Sequence, residues 1–432
     1  MQILDRTRLV LRDRLRFSPM ALRAYSQAMD LRSRRPPQGS AALARYVDRL
    51  AKAARAGTGL RDISGLESRL RIALEGWTPE QFPWDQFFAD VHSAPVRKAL
   101  LLKLPQGGSE KGVLYVAFEN QWIRLLRFAD IPALARDFDL VLTPTWSPPQ
   151  DLAFLLALRL WPNRIYHTLS AFADAPAFER LSDRARSVPL LASSWVNPAL
   201  VGAERERRVE FDIAMIANFS IYKRHFALFQ ALAQMDPSVR MLLLGTPWEE
   251  RTRETLLQEA ALFGVHQRIV IREGLPDAEM FAALRSAKVC VLMSLVEGSC
   301  VAVAESMFAD VPVGLLAGAN VGSSAFLNSH TGRWLRPQCL AEDLTDFIGH
   351  ADQFRPRQWM LSQNLDCWAS SQILNRHLKT ATEAEGRPWT RDLAPFHWRP
   401  NARFLRPEDA AAMAAAYSEF PRRYGVALDS GV

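Results

Sequence analysis

Short apolar runs alternate with stretches of helical periodicity from about residue 98 onward. This alternation constrains the fold more than any other feature of the chain. Apolar side chains fill successive positions of each run, which is typical of parallel strands buried on both faces. The runs are KALLLKL, GVLYVAF, LVLTPT, RIYHTL and VPLLAS, followed by FDIAMIANF, RMLLLGT, RIVIREG and KVCVLMSLV. Because helical stretches separate the strands, the sequence predicts an α/β fold with two tandem, doubly wound parallel sheets.

The length of 432 residues exceeds what one hydrophobic core usually supports, so several segments are expected. Open parallel sheets bind ligands at the carboxyl ends of their strands, which predicts a crevice between the two sheet domains. The charged segment GAERERRVE, residues 202–210, is expected to link these domains. The predicted division is a basic helical appendage (1–97), a Rossmann-like domain (98–205), a second Rossmann-like domain (206–380) and a C-terminal extension (381–432).

The positive charge of the chain lies in its N-terminal segment. The whole chain carries a net charge of +7, whereas residues 1–62 carry +9 and the remainder carries −2. Ser18 and Pro19 favour the start of one helix. A second helix is predicted where apolar residues recur at helical spacing from Leu43 to Ala54. Both helices would have an apolar side and a basic side.

Such helices suit more than one partner. Their apolar side can pack on a domain, or the helices can lie on an anionic membrane surface. Nucleic acid is another anionic partner, but only Phe17, Tyr25 and Tyr46 of this segment could stack on bases. We therefore expect no nucleic-acid binding, while packing and membrane binding both remain open.

Several protein classes are disfavoured by composition. No apolar stretch reaches the about 18 residues of a membrane-spanning helix, and the N-terminus lacks the apolar core of a signal peptide. The cysteines show neither metal-site spacing nor the density of a disulfide-rich secreted protein. They are Cys290, Cys300, Cys339 and Cys367. These features predict a cytoplasmic protein, peripheral at the inner face of the membrane if the basic helices bind lipid.

Two carboxylates interrupt the apolar stretch VLMSLVEGSCVAVAESMFADVPVG, residues 291–314. Glu297 begins the turn after a predicted strand, and Gly298 to Cys300 lead into a helix predicted over about 300–309. The start of a helix with a nearby glycine is an anion site that suits a diphosphate. Glu305 would lie about six residues into the helix, about 9 Å along its axis. It could accept hydrogen bonds from a ribose, and Glu297 from the hydroxyls of a sugar.

The stretch SLVEGSCVAVAESMFADVPVG resembles the signature of the retaining glycosyltransferases of family 4, also known as glycosyl transferases group 1. The match consists of a glutamate, seven residues, a second glutamate, a helix of small residues and a Pro-Val strand. EGLPDAEMFAALRSAKVCVLMS resembles the segment before this signature, and GANVGSSAFLNSHTGRWL resembles the segment after it. The similarity covers about residues 211–340 and implies the two-domain GT-B fold.

The resemblance also implies cations that face the donor diphosphate. Family members carry a Gly-Arg pair after the first strand of the second domain and a lysine five residues after the arginine. The matching stretch here is IANFSIYKRH, in which Asn218 replaces the arginine and Lys223 keeps the lysine position. Arg224 could supply the missing guanidinium. The predicted donor site is therefore Lys223, Arg224 and Asn218 with Gly298, Ser299, Cys300 and Glu305.

The implied reaction moves a sugar from a nucleotide sugar to an acceptor hydroxyl with retention of the anomeric configuration. Lys223 and the helix start would stabilise the departing diphosphate, and Glu297 would contact the transferred sugar. No metal or other cofactor is expected, since the sequence has no aspartate pair or histidine cluster suited to a metal. The implied acceptor is a glycan or a lipid-linked molecule of bacterial surface polysaccharide synthesis.

Each nominated residue has a simpler interpretation. The two glutamates and the two cations could be solvated surface groups. Cys300 has no recognisable partner base and is interpreted as packing rather than as a nucleophile. His167, at the predicted end of RIYHTL, is a candidate for the acceptor side, although a structural histidine is the alternative. The aromatic residues Trp389, Phe396, Trp398 and Phe404 could form an acceptor platform or pack in the C-terminal extension.

The main alternative function is a non-catalytic sensor or scaffold that binds a nucleotide sugar. The replacement of the family arginine by Asn218 favours it. The sequence leaves the donor base, the donor sugar, the acceptor and the oligomeric state open.

Overall fold

The computed structural model describes residues 2–76, 82–93, 95–144, 148–201, 208–397 and 402–429. The chain forms two compact units. The first-sheet unit comprises Leu15–Trp195 and Cys367–Val432, and the second-sheet unit comprises Met1–Arg14 and Val196–Asp366. The predicted linker falls largely outside the described residues, and the predicted domain boundaries stay predictions.

In the described part of the chain, five α-helices precede the first sheet. They are α1 (Gln2–Arg16), α2 (Pro19–Arg32), α3 (Ser40–Gly57), α4 (Ser64–Glu75) and α5 (Trp84–Phe88). Ser18 caps α2, because its hydroxyl accepts a hydrogen bond from the Ala21 amide at 3.3 Å. Val47 and Leu50 of α3 are fully buried. The apolar side of α3 therefore packs inside the first-sheet unit. The sequence patterns did not predict α1.

The first sheet has five strands in chain order. They are β1 (Ala99–Lys103), β2 (Gly112–Ala117), β3 (Phe138–Thr143), β4 (Ile165–Leu169) and β5 (Ala185–Leu191). The strands β1 to β4 are buried along their whole length, as their unbroken apolar runs predict. Strands β2 to β5 are parallel, whereas β1 pairs with β2 in the antiparallel direction. The connecting helices are α6 (Glu119–Phe128), α7 (Ile131–Asp137), α8 (Leu152–Leu160) and α9 (Ala175–Leu181).

The second sheet has six parallel strands in the order β13-β11-β9-β6-β7-β8. They are β6 (Phe211–Ile216), β7 (Met241–Gly245), β8 (Ile269–Glu273), β9 (Ala287–Leu292), β11 (Val313–Leu316) and β13 (Gly332–Leu335). The chain builds outward from β6 to β8 and returns to β9 on the other side of β6. The carboxyl ends of β6 and β9 therefore form a topological switch point, where open α/β sheets bind ligands.

The helices of the second-sheet unit are α10 (His225–Leu232), α11 (Arg253–Phe263), α12 (Asp277–Arg285), α13 (Val301–Phe308), α14 (Leu340–Gly349) and α15 (Pro356–Ser362). Two short strands, β10 (Val296–Glu297) and β12 (Asn320–Val321), pair in parallel. In the chain, β10 lies between β9 and α13, and β12 follows β11. The α/β class, the helical N-terminal region and the parallel pairing that the sequence predicts are confirmed, except at β1. The prediction of a parallel strand is wrong there, because β1 pairs with β2 in the antiparallel direction.

The C-terminal segment packs within the first-sheet unit. It contains α16 (Cys367–Ala384), β14 (Phe396–His397), β15 (Arg403–Phe404) and α17 (Pro407–Tyr424). Phe396 is fully buried and stacks on Trp195 with ring centroids 4.4 Å apart. The Trp389 ring lies 3.4 Å from the Lys103 ammonium, and Trp398 lies outside the described residues. These contacts favour packing over an acceptor platform.

Candidate functional site at the carboxyl ends of β6 and β9

The loop after β6 is shaped by its own polar side chains. Asn218 accepts a hydrogen bond from the Ser220 amide at 3.2 Å, and the Ser220 hydroxyl accepts one from the Tyr222 amide at 3.3 Å. Arg224 then has left-handed backbone angles, with φ 56° and ψ 42°, and α10 begins at the next residue. Asn218 thus orders the loop, whereas the family arginine that it replaces would provide a charge. Its predicted role in donor binding stays a prediction.

The turn after β9 is fixed by a neighbouring segment. The Gly322 amide donates to the Gly298 carbonyl at 2.8 Å, and the Ser323 amide donates to the Ser299 carbonyl at 3.1 Å. The Ser323 hydroxyl donates to the Cys300 carbonyl at 3.0 Å. These bonds turn the carbonyls of residues 298–300 toward the protein and leave the turn leading directly into α13.

Lys223 and Glu297 meet at the switch point. The Lys223 ammonium contacts Oε1 of Glu297, and the Ser294 hydroxyl donates to the same oxygen at 2.6 Å. Burial by itself would lower the pKa of Lys223, but the Glu297 carboxylate outweighs burial and raises this pKa. Lys223 is therefore charged at neutral pH. The structure brings together two residues that sequence analysis nominated from segments 74 positions apart.

The helix α13 begins at Val301, one residue later than predicted. The Val303 amide donates to the Cys300 carbonyl at 3.1 Å, whereas the first two amides of the helix have no intrahelical acceptor, as at any helix start. Glu305 lies four residues after Val301, which places it about 6 Å along the helix axis rather than the 9 Å expected. Its side chain is buried. Glu305 is therefore not the solvated surface group of the simpler interpretation.

The two cysteines near this turn are protonated at neutral pH. Burial and the Glu297 carboxylate raise the pKa of Cys300 to about 12. Burial raises the pKa of Cys290, on β9, to about 11. The thiol is a poor nucleophile in this form, which supports the interpretation of Cys300 as a packing residue.

Arg224 is held by a residue that sequence analysis did not nominate. Its Nε lies 3.0 and 3.1 Å from the two carboxylate oxygens of Asp13 on α1, and its Nη2 lies 3.0 Å from Oδ2. Its Nη1 donates to the Met293 carbonyl at 2.9 Å. Asp13 lies 211 positions before Arg224, so no local pattern could have indicated this pair. The role of Arg224 toward a donor stays a prediction.

His225, the first residue of α10, is a second residue that sequence analysis missed. Its side chain is buried, and burial together with the nearby charges of Arg251 and Lys223 lowers its pKa to about 3. His225 is therefore neutral near pH 7. It adds no positive charge to the site formed by Lys223 and Arg224.

His167 has the surroundings of a core residue. It lies in the middle of β4 rather than at its end, and its side chain is fully buried in the first-sheet unit. Its ring centroid lies 4.2 Å from that of Phe178 and 5.1 Å from that of Phe154. Burial lowers its pKa to about 4. This setting favours the structural alternative, and the assignment to the acceptor side stays a prediction without support from geometry.

Two further properties concern metal binding and membrane spanning in the described part of the chain. It contains no group of three histidine, cysteine, aspartate or glutamate residues that could hold a metal ion. Among its helices, none combines the length and the apolar character needed to cross a membrane.

Comparison with known proteins gives one family match. Residues 202–350 match the family described as Glycosyl transferases group 1. This range contains the loop after β6, the turn after β9 and α13. No curated protein matches the sequence of the chain.

Three of the solved structures that match this chain have low sequence identity to it. Sucrose-phosphate synthase from Thermosynechococcus elongatus is 18% identical, with 63% of this chain and 74% of that chain covered and a TM-score of 0.48. HepE from Anabaena, in complex with UDP and glucose, is 16% identical, with 62% and 78% covered and a TM-score of 0.46. The pneumococcal O-GlcNAc transferase GtfA, in complex with UDP and GlcNAc, is 12% identical, with 63% and 57% covered and a TM-score of 0.46.

The segment that carries the Lys223 and Glu297 pair is thus similar, over residues 202–350, to the glycosyl transferases group 1.

Proposed function

We propose that this protein is a retaining glycosyltransferase of family 4 with a GT-B arrangement. It transfers a sugar from a nucleotide sugar to an acceptor hydroxyl and uses no metal or other cofactor. One observation carries the proposal: the Lys223 ammonium and the Glu297 carboxylate meet at the switch point, next to the start of α13. A charged lysine and the amides at a helix start stabilise a departing diphosphate. Retention of configuration rests on the family resemblance.

In the proposed reaction, the donor diphosphate lies between Lys223 and the first turn of α13. The Glu297 carboxylate faces the sugar, and Glu305 accepts hydrogen bonds from the ribose. As the bond between the anomeric carbon and the diphosphate oxygen breaks, Lys223 stabilises the negative charge that develops on the leaving group. The acceptor hydroxyl then bonds to the anomeric carbon, and its proton passes to the departing diphosphate.

Donor binding tests this proposal directly. A panel of UDP-, GDP-, ADP-, CMP- and dTDP-linked sugars is measured by thermal shift on the wild type and on Glu305→Gln. One donor class is expected to stabilise the wild type by roughly 2.7 kcal/mol at about 100 times its dissociation constant. The buried Glu305→Gln variant should lose most of this gain, because a neutral amide accepts hydrogen bonds from the ribose more weakly.

The matched control is Glu273→Gln, which changes an exposed glutamate at the end of β8 in the same unit. It should respond to the donor as the wild type does. A panel in which no donor stabilises the wild type would contradict the proposal. If the panel identifies a donor, an activity assay separates an enzyme from a nucleotide-sugar sensor. An enzyme should form product with that donor, and Glu297→Ala should lose this activity. The sensor alternative is favoured by Asn218 and by the pairing of Arg224 with Asp13.

We further propose that the protein works in the cytoplasm, at the inner face of an anionic membrane, on a glycan or lipid-linked acceptor of bacterial surface polysaccharide synthesis. Support comes from α2, on which Met20 is 80% exposed and Leu31 57% exposed. They lie eleven positions apart, so both point to the same side of the helix. The basic residues Arg23 and Arg32 are exposed on α2 as well. Exposed apolar side chains beside basic ones are typical of helices that lie in a membrane interface.

The membrane proposal predicts a loss of lipid binding on substitution. Met20→Asp/Leu31→Asp is expected to lower cosedimentation with phosphatidylglycerol vesicles at least about tenfold, because burial of such side chains contributes about 1.5 to 3 kcal/mol each. The control Leu257→Asp changes an exposed leucine of α11 in the second-sheet unit and should leave binding unchanged. Equal binding by both variants would remove α2 as the membrane contact. Deletion of residues 1–62 would be a poor test, since it removes the buried Val47 and Leu50.

A further inference from the structure

The two cations of the loop after β6 are each paired with a carboxylate. Lys223 contacts Glu297, and Arg224 contacts Asp13. His225 adds no charge of its own. A diphosphate therefore meets two positive side chains whose charge is already balanced by two negative ones. This balance is unfavourable for a site that binds a multiply charged anion, because each carboxylate repels the anion and offsets much of the attraction from its partner cation.

The pair of Arg224 and Asp13 is well formed. Three contacts of 3.0 to 3.1 Å join the guanidinium to the carboxylate. The side chain of Arg224 is 13% exposed and that of Asp13 is 7% exposed. Little water screens the two charges, so Asp13 lowers the attraction of Arg224 for any other anion.

From residue 6 onward, the helix that carries Asp13 has few buried side chains. Between residues 6 and 16 of α1, Asp13 is the one buried residue, and Leu9 and Val10 are half-buried against the apolar core of that unit. The Arg6 guanidinium lies 4.9 Å from the centre of the Phe263 ring. An element with few buried apolar contacts opens more readily than the core on which it packs.

We infer that Asp13 is an internal competitor for the donor diphosphate. With α1 docked, Asp13 occupies the Arg224 guanidinium and weakens diphosphate binding. With α1 displaced, Arg224 takes the place of the arginine that Asn218 replaces and binds the diphosphate. This inference rests on the proposed function, because it assumes that the site binds nucleoside diphosphates. It assigns a role in donor affinity to a residue that lies outside the segment similar to the glycosyl transferases group 1.

Binding and displacement are then linked. A ligand that binds Arg224 only when α1 is displaced shifts α1 toward the displaced state. The factor of this shift equals the factor by which Asp13 weakens binding of the ligand. Diphosphate binding should therefore loosen α1 even in the wild type.

The test is a double-mutant cycle on the full-length chain. The dissociation constants of UDP, GDP, ADP and inorganic pyrophosphate are measured by calorimetry for the wild type, Asp13→Asn, Arg224→Gln and the double variant. Asp13→Asn should bind at least one of these ligands about tenfold more tightly, within the range of typical coupling between sites. In the Arg224→Gln background, Asp13→Asn should have no further effect. The matched control is Asp48→Asn, which changes a half-buried aspartate paired with Lys52 on α3.

A second measurement needs no variant, in case Asp13→Asn does not fold. Hydrogen exchange of the α1 amides is followed in the wild type with and without the ligand, and saturation should speed exchange in residues 6–14. Unchanged exchange at saturation would overturn the inference. Equal affinity of Asp13→Asn and Asp48→Asn for a ligand that binds would also overturn it and leave the proposed function intact. If neither the wild type nor any variant binds any of the four ligands, both proposals fall.

Discussion

Replacement of Lys223 by methionine is expected to lower kcat/KM for the donor by about 10² to 10³-fold, the usual cost of removing one group that stabilises charge in a transition state. Lys223 is the cation that lies next to the turn before α13, and its pKa is raised by the carboxylate of Glu297, so it is fully charged under assay conditions. Methionine keeps the length of the side chain and removes the charge. Steady-state kinetics with the donor selected by the thermal-shift panel measures the effect.

Lys288→Met is the matched control for this variant. Lys288 lies near the start of β9, at the opposite end of the strand from Glu297, and pairs with Asp212 at 2.9 Å. Its loss removes a partly exposed ion pair, which contributes little to stability, and should leave kcat/KM within about twofold of the wild type. If Lys223→Met and Lys288→Met behaved alike, Lys223 would have no role in the reaction.

Replacement of Gly245 by alanine is expected to destabilise the second-sheet unit by about 3 kcal/mol or more, at the upper end of the cost of overpacking a core. A Cβ atom at this position, the end of β7, would lie 1.9 Å from the Ala217 carbonyl oxygen. Backbone cannot move aside as a flexible side chain can. The loop that begins at Ala217 leads to Lys223, so the variant should lose donor binding as well as stability. Urea unfolding and the donor thermal shift report the two effects.

Gly349→Ala provides the comparison. A Cβ atom at Gly349, the last residue of α14, would have no heavy atom within 4 Å. Alanine also favours helix more than glycine does, so this variant should be as stable as the wild type or slightly more so. A Gly245→Ala protein with the stability and donor affinity of Gly349→Ala would show that the loop after β6 tolerates displacement.

The strands of both sheets could be located from the sequence because burial on two faces requires continuous apolar runs, and such runs are local features. The start of α2 was equally local, since Ser18 caps the helix through its own side chain. The direction of β1 was not local. Its apolar run fits a parallel or an antiparallel strand, and only pairing with β2 in the folded chain decides between them.

The site divides in the same way. Glu297, Glu305 and Lys223 could be nominated because they interrupt apolar segments or occupy positions of a family motif. The hydrogen bond that Asn218 makes within its loop could not be predicted from the motif, because the motif shows only that an arginine is absent. His167 shows the converse limit, because a histidine in an apolar strand carries the same pattern whether its side chain is exposed or, as here, fully buried.

The sequence by itself determined the α/β class, the positions of most strands, the basic character of the N-terminal segment and the pair of segments that supply Lys223 and Glu297. These features depend on the periodicity of apolar residues and on local charge, and both can be read from residues that are close together in the sequence. Only the tertiary structure decided that residues 1–14 pack with the second-sheet unit, that the C-terminal segment belongs to the first-sheet unit, and that Asp13 holds Arg224. Contacts between residues hundreds of positions apart are set by the packing of complete elements, so no stretch of sequence contains them.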